Sequence, residues 1–271
     1  MEKGVFEIKN KIGNSVFRAS VTYKGRHISL GSFESEEAAA SAYAFAKEIL
    51  YGDTKLLSCI DMYKNNGSLS LSFQKVVTLL NFRDRGVYIK NPIYLEKSYF
   101  LYFYSVDTVF TFDTDDLFYY SKHAVQMRGG HIFTEQYGSQ INIMSRYGIK
   151  PFQTEGRDYV FANGDPYDMR YSNIKIINNY RGVTSSTKNG ITTYVTKIHV
   201  KSDIVVGRYK DETEAAVAYN KAAMILNERG VKINFVTNYI DTLSDIEYIS
   251  LLNRVRVADT IRNYEVKKSR D

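Results

Sequence analysis

Three groups of residues in this 271-residue sequence have side chains that could do chemistry. Asp113, Asp115 and Asp116 form an acidic knot. Such oxygens suit a divalent cation, but they lack regular ligand spacing, and a solvated turn is the plainer reading. His123 and His131 stand either side of Gly129-Gly130. They suit a zinc ion or, more simply, ordinary loop and strand positions. The third group is a polar run from Asn163-Gly164-Asp165 through Asp168 and Arg170 to Asn173. Asp165 and Asp168 there are either metal ligands or residues that hydrogen-bond their own turn.

A different chemistry is written in the cations. Lys9, Lys11, Arg18, Lys24, Arg26 and His27 fall between residues 8 and 31 with no acid among them. Arg181, Lys188, Lys197, His199, Lys201 and Arg208 form a second set, interrupted by Asp203 alone. Clustered cations without acids suit a polyanion, and a small basic sheet can track phosphates while entering a major groove.

Both cationic sets sit in the same pattern of elements. Phe17, Ala19 and Val21 alternate with Arg18, Ser20 and Thr22, which is the period of a half-buried strand. Lys24-Gly25-Arg26 makes a turn, and Ile28 and Leu30 then alternate with His27 and Ser29. Ser35 with Glu36 and Glu37 opens a helix whose apolar positions are Ala39, Ala42, Tyr43, Ala46, Ile49 and Leu50. The pattern returns near the other end. Tyr194, Thr196 and Ile198 alternate with Val195, Lys197 and His199, and Asp211 and Glu214 fit a capping box before Ala215, Ala218, Tyr219, Ala222 and Leu226. Gly31 matches Gly207, Phe33 matches Tyr209, and Tyr43 matches Tyr219. Alanines let a helix lie close on one sheet face, leaving the other bare. That bare face predicts base-edge contacts for Arg18, Ser20, Thr22, Ser29, Lys197 and His199. Phosphate contacts are predicted for Lys9, Lys11, Lys24, Arg26, Lys188, Lys201 and Arg208.

Arg181-Gly182-Val183, Gly207-Arg208-Tyr209, Glu214-Ala215-Ala216, Ala218-Tyr219-Asn220 and Ala222-Ala223 together resemble the APETALA-two/ethylene-response-factor DNA-binding domain. Leu30-Gly31-Ser32-Phe33, Glu36-Glu37-Ala38-Ala39 and Ala42-Tyr43 resemble it in the first copy. The resemblance implies a three-stranded antiparallel sheet on one helix, with the sheet reading duplex DNA. Family members usually place tryptophan on that sheet; this chain has none, and Ser29 stands where a DNA-facing tryptophan is common. The run from Asn163 to Ile174 resembles the second half of the HNH motif of phage homing endonucleases, in which the loop leads to a short helix. In that family a His-containing pair precedes the Asn-Gly turn and supplies the general base and a metal ligand. Val160 and Phe161 occupy those places here, and Phe161 can do neither job. The resemblance therefore implies a nuclease-derived scaffold without catalytic residues, metal or cofactor.

Composition sets the remaining bounds. An apolar fraction of 44% with 15 Phe and 23 Tyr is enough for buried cores, and three prolines argue against long linkers. A single cysteine, Cys59, excludes an intramolecular disulfide framework. The net charge of +6 favours an anionic partner. No apolar run approaches 18 residues and no signal-peptide pattern follows Met1, which predicts a soluble, cytoplasmic chain without a membrane partner.

The sequence thus predicts an α+β protein in four segments. Residues 1–58 form the first sheet-plus-helix module, 59–179 a degenerate HNH-like ββα domain, 180–239 the second module, and 240–271 a C-terminal helix with a basic tail of Lys267, Lys268 and Arg270. Within 59–179, residues 69–80 read as a short helix and 88–112 as two or three strands. In the C-terminal segment, Ile246, Ile249, Leu252 and Val255 mark one helix through residue 262, docked on the middle domain or paired with another subunit. The function predicted is sequence-specific duplex-DNA binding by a phage or mobile-element regulator. Two other functions stay open: a homing endonuclease with relocated groups among His123, His131 and Asp113 to Asp116, and an interaction protein that antagonises a regulator.

Overall fold

The computed structural model describes residues 4–9, 15–67 and 69–266. Lys11 and the basic tail residues lie outside these. The fold is α+β, with helices and small antiparallel sheets. By its contacts the chain divides into two units, Met1–Tyr147 with Asp165–Asn173, and Gly148–Gly164 with Ile174–Asp271. This division does not follow the four segments read from the sequence, since residues 59–179 fall partly in each unit.

The first unit begins with strands β1 (Val5–Lys9), β2 (Ser15–Tyr23) and β3 (Arg26–Phe33) in an antiparallel sheet of that order. Lys24 and Gly25, both with positive φ, close the two-residue hairpin turn that matches strand twist. Helix α1 (Glu36–Tyr51) starts where the Ser35 hydroxyl accepts from the Ala38 amide, and it buries Ala39, Ala42, Ala46, Ile49 and Leu50 on the sheet. Helices α2 (Leu56–Asn66) and α3 (Phe73–Arg85) follow. The predicted helix over 69–80 starts later than expected, because Ser72 supplies the cap, and it continues to the left-handed Gly86.

The first module does not close a core of its own. One apolar cluster runs from Val5 and Ala19 through α1, α2 and α3 to Tyr94 and Phe103. Strands β4 (Ile93–Leu95), β5 (Tyr99–Phe103) and β6 (Val109–Asp113) are the aromatic-rich strands expected there, paired antiparallel in sequence order. Phe112 stacks on Tyr120 of α4 (Leu117–Lys122) at 4.0 Å between ring centres. Strands β7 (Val125–Arg128), β8 (His131–Gln136) and β9 (Ser139–Asn142) follow as a meander.

The second unit opens with a short hairpin, β10 (Tyr159–Phe161) and β11 (Ile174–Ile176). Strands β12 (Val183–Lys188), β13 (Ile191–His199) and β14 (Asp203–Tyr209) then form an antiparallel sheet under α5 (Glu212–Glu228). Asp211 caps α5 by accepting from the Glu214 amide; the reciprocal capping box forms instead at Ser244 and Glu247, ahead of α6 (Asp245–Arg254).

The C-terminal segment departs from expectation in three ways. It is not one helix: α6 ends before Val255, which is extended, and a single turn, α7 (Asp259–Arg262), follows. The apolar stripe is displaced, since Ile246 and Ile249 are exposed while Tyr248, Leu251, Leu252 and Val255 pack inward. The segment docks on the second module itself, joining the core of α5 through Val255, Val257 and Ile261. Among the described residues no helix is long and apolar enough to cross a membrane.

Candidate nucleic-acid interface

The two sheets share a detail that the sequence alignment does not contain. In the first, Ala19 pairs with Gly31 but Ser20 pairs with Ser29, so Leu30 is an extra residue. In the second, Thr196 pairs with Gly207 but Lys197 pairs with Val205, so Val206 is extra. A bulge at the same place twists both sheets alike. The entry to each sheet is also repeated. Ser20 donates its amide to the Gly4 carbonyl at 2.9 Å, and Lys197 donates to Gly182 at 2.8 Å. Gly4 and Gly182 both have positive φ and lie against Tyr43 and Tyr219. Gly4-Val5 and Gly182-Val183 are therefore the true start of each repeat. The shared Gly-Val dipeptide was the available signal, hidden because unequal numbers of residues separate it from the matched strands.

Register assigns the open faces. On the second sheet the helix side carries Val183, Thr196, Ile198 and Val206, and the Thr196 hydroxyl donates to the Ala215 carbonyl at 2.9 Å. The opposite side carries Thr184, Ser186, Lys188, Val195, Lys197, His199, Val205 and Arg208. Lys188, Lys197, His199 and Arg208 are exposed on it, and Lys201 is exposed in the adjoining turn. His199 and Asp203 meet at 2.8 Å. Lys188, Lys197 and Arg208, with His199, thus share one face of this module.

The first sheet is different. Arg18, Thr22, His27 and Ser29 are exposed on its open face, together with the apolar Phe6, which pairs with Arg18. The Thr22 hydroxyl and His27 are 3.5 Å apart. Ser20, predicted to touch bases, is 5% exposed, because the Gly4 segment covers its strand position. Lys9 alternates with Val5 and Glu7 and so falls on the helix-bearing side rather than the open one. Lys24 and Arg26, predicted phosphate contacts, turn onto their own unit. The Lys24 ammonium donates to the Arg83 carbonyl at 3.2 Å, and the Arg26 guanidinium stacks on Tyr88 at 4.3 Å. The turn cations are attached to α3 and the loop after it because the first module shares that core.

Arg181 sits at the rim of the second sheet, stacked on Phe152 at 4.7 Å. Its main chain is gripped by Asn238, whose side chain accepts from the Arg181 amide and donates to its carbonyl. Asn238 is held in turn by Asn220 through two bonds of 2.7 and 2.9 Å. A cleft of about 360 Å³ here adds Arg157, which sequence reasoning missed, beside Arg181, Lys197 and His199. The Asp158 carboxylate bonds Arg157 and holds its guanidinium further above its ordinary pKa.

The nuclease-like run does not form the expected short helix. Within residues 165–173 the Asp165 carboxylate accepts from the Tyr167 amide, Asp168 pairs with Arg170 through two bonds of 2.8 and 2.6 Å, and Asn173 donates to the Asp165 and Asp168 carbonyls. Main-chain bonds between Thr111 and both Tyr167 and Met169 lay this loop along β6. These bonds fit the turn-forming reading of both aspartates. The acidic knot is a solvated turn only in part: Asp115 is exposed, but Asp116 is buried in an ion pair with Arg146, and Asp113 accepts from the Tyr171 amide. His123 ends α4 and lies 3.2 Å from the Glu135 carbonyl, while His131 opens β8. Among the described residues no group of three or more His, Cys, Asp or Glu side chains is placed to hold a metal ion. Comparison with family models, curated proteins and solved structures found no match to this chain.

Proposed function

We propose that the chain binds double-stranded DNA selectively and acts as a transcriptional regulator of phage or mobile-element type. Its scaffold is a homing-endonuclease derivative that no longer cuts, working in the cytoplasm. The observation that carries this reading is the exposed row of Lys188, Lys197, His199 and Arg208 on the helix-free face of a bulged three-stranded sheet. Basic side chains on such a face suit phosphate contacts, with Thr184 and Ser186 on the same face as hydrogen-bonding groups. The first sheet repeats the geometry with fewer cations, so tethering supplies it with a high local concentration rather than strong affinity of its own. Phe161 at the place of the family's catalytic pair supports binding without hydrolysis. Exposed Ile246 and Ile249 on α6 support a protein contact through that helix.

The test is a gel-shift and footprinting series on purified full-length protein at several salt concentrations, with magnesium and manganese arms. Salt-sensitive, sequence-selective protection without strand breaks is the expected result. Absence of any shift removes the reading, and specific cleavage removes the claim of inactivity.

A further inference from the structure

The C-terminal segment brings two arginines to the second sheet that no part of the repeat contains. Past Arg254, the exposed last residue of α6, the chain turns extended, with Val255 and Val257 buried at 2% and 5% exposure and Arg256 exposed between them. Three bonds fix this strip. The Ala258 amide donates to the Val206 carbonyl at 2.7 Å, so the strip lies along the free edge of β14. The Tyr209 hydroxyl donates to the Arg256 carbonyl at 2.7 Å. From the other side the Lys221 ammonium donates to the Val255 carbonyl at 2.8 Å. Burial, then the nearby Glu214, pushes the Tyr209 hydroxyl up to about 12, so it stays a donor into the alkaline range.

The result is an open cleft of about 580 Å³ lined by Arg208, Arg254 and Arg256, with the carboxylate of Glu214 beside them. Arg208 belongs to the open sheet face and to this cleft at once, so the cleft continues that face around the β14 edge. We propose that Arg254 and Arg256, with Arg208, form a phosphate-binding site for the backbone of a nucleic-acid duplex lying on the second sheet. The inference rests on the DNA-binding reading above and makes the second module the anchor of the pair. Guanidinium groups suit the task because their planar donors meet phosphate oxygens two at a time.

The experiment is binding of a 30-base-pair mixed-sequence duplex to full-length protein across salt concentrations, comparing the wild type with R254A/R256A and R254K/R256K. Each phosphate contact contributes about 0.9 to the slope of log affinity against log salt. The alanine pair is expected to flatten that slope by roughly 1.8 and the lysine pair by much less. Both side chains are exposed, and thermal melting checks that the variants stay folded; if the alanine pair unfolds, R254Q/R256Q takes its place. A wild-type slope retained by the folded alanine or glutamine pair overturns this inference and leaves the DNA-binding reading standing. A wild type that binds no duplex overturns both.

Discussion

Gly182 lies so close to Tyr219 that a methyl group on its Cα would sit 2.5 Å from the ring, and it would also strike the Lys197 carbonyl oxygen. Gly4 stands in the same relation to Tyr43, with the Ser20 carbonyl oxygen 2.8 Å from such a methyl. The two glycines let the chain enter each sheet beneath the helix tyrosine. Gly182→Ala combines a positive φ with overpacking and is expected to cost about 2–5 kcal/mol in urea unfolding. Gly25→Ala, also at positive φ but facing open space, is expected to cost only about 1–2 kcal/mol.

Asn238→Ala removes the two side-chain bonds that hold the Arg181 main chain. Leaving these groups unpaired is expected to cost about 1–3 kcal/mol. Amide hydrogen exchange at Arg181 should accelerate, while exchange within α2 of the first unit stays unchanged.

Asp116 and Arg146 form an ion pair in which Asp116 is 4% exposed, and among the described residues the second Asp116 oxygen and the Arg146 Nε have no hydrogen-bond partner. Asp116→Ala is expected to cost about 3–5 kcal/mol, because it strands a charge. Replacing both together, Asp116→Leu with Arg146→Met, is expected to be near neutral, since the imperfect pair recovers little of its desolvation. Urea midpoints of the three proteins check this.

Alkali should weaken the fold. Burial pushes the Cys59 thiol up from 9.0 to about 11 and the Tyr63 hydroxyl up from 10.0 to about 12. An acid whose folded pKa is raised contributes stability that is complete below its unfolded pKa and lost as pH rises towards the folded one. The melting temperature is therefore expected to hold to about pH 9 and fall steadily up to pH 11. Cys59→Ala should remove the earliest part of that fall. In the same range the native thiol should resist a disulfide reagent that reacts at once in denaturant.

Lys24 and Arg26 are spent on the Arg83 carbonyl and the Tyr88 ring. If duplex affinity is measured against salt, Lys197→Ala is expected to flatten the slope by about one unit, and Arg26→Ala to leave it unchanged. Arg26→Ala should instead lower stability by about 0.5–1 kcal/mol through loss of the stacking contact.

Much of the local structure is legible in the residues alone. Phe17, Ala19 and Val21 announce the strand, Lys24-Gly25 its turn, and Ser35 the helix start, because each depends on atoms within a few residues. Reading the 244–262 stretch as one helix fails because spacing cannot say where a docked chain must straighten; Val255 becomes extended to reach the α5 core. The helix expected before Asn173 fails for a related reason, since pairing with Thr111 and the Asn173 side chain claims the loop's main-chain groups.

The sequence by itself determined the repeat, the alternation that leaves one face of each sheet without a helix, and the cationic residues in it. These follow from backbone periods, which are local. Only the tertiary structure decided which cations remain available. It tied Lys24 to a carbonyl 59 residues away, covered Ser20, and set Arg254 and Arg256 beside Arg208 along an edge strand. A side chain's partner is chosen by packing between distant segments, and no spacing within either segment records that choice.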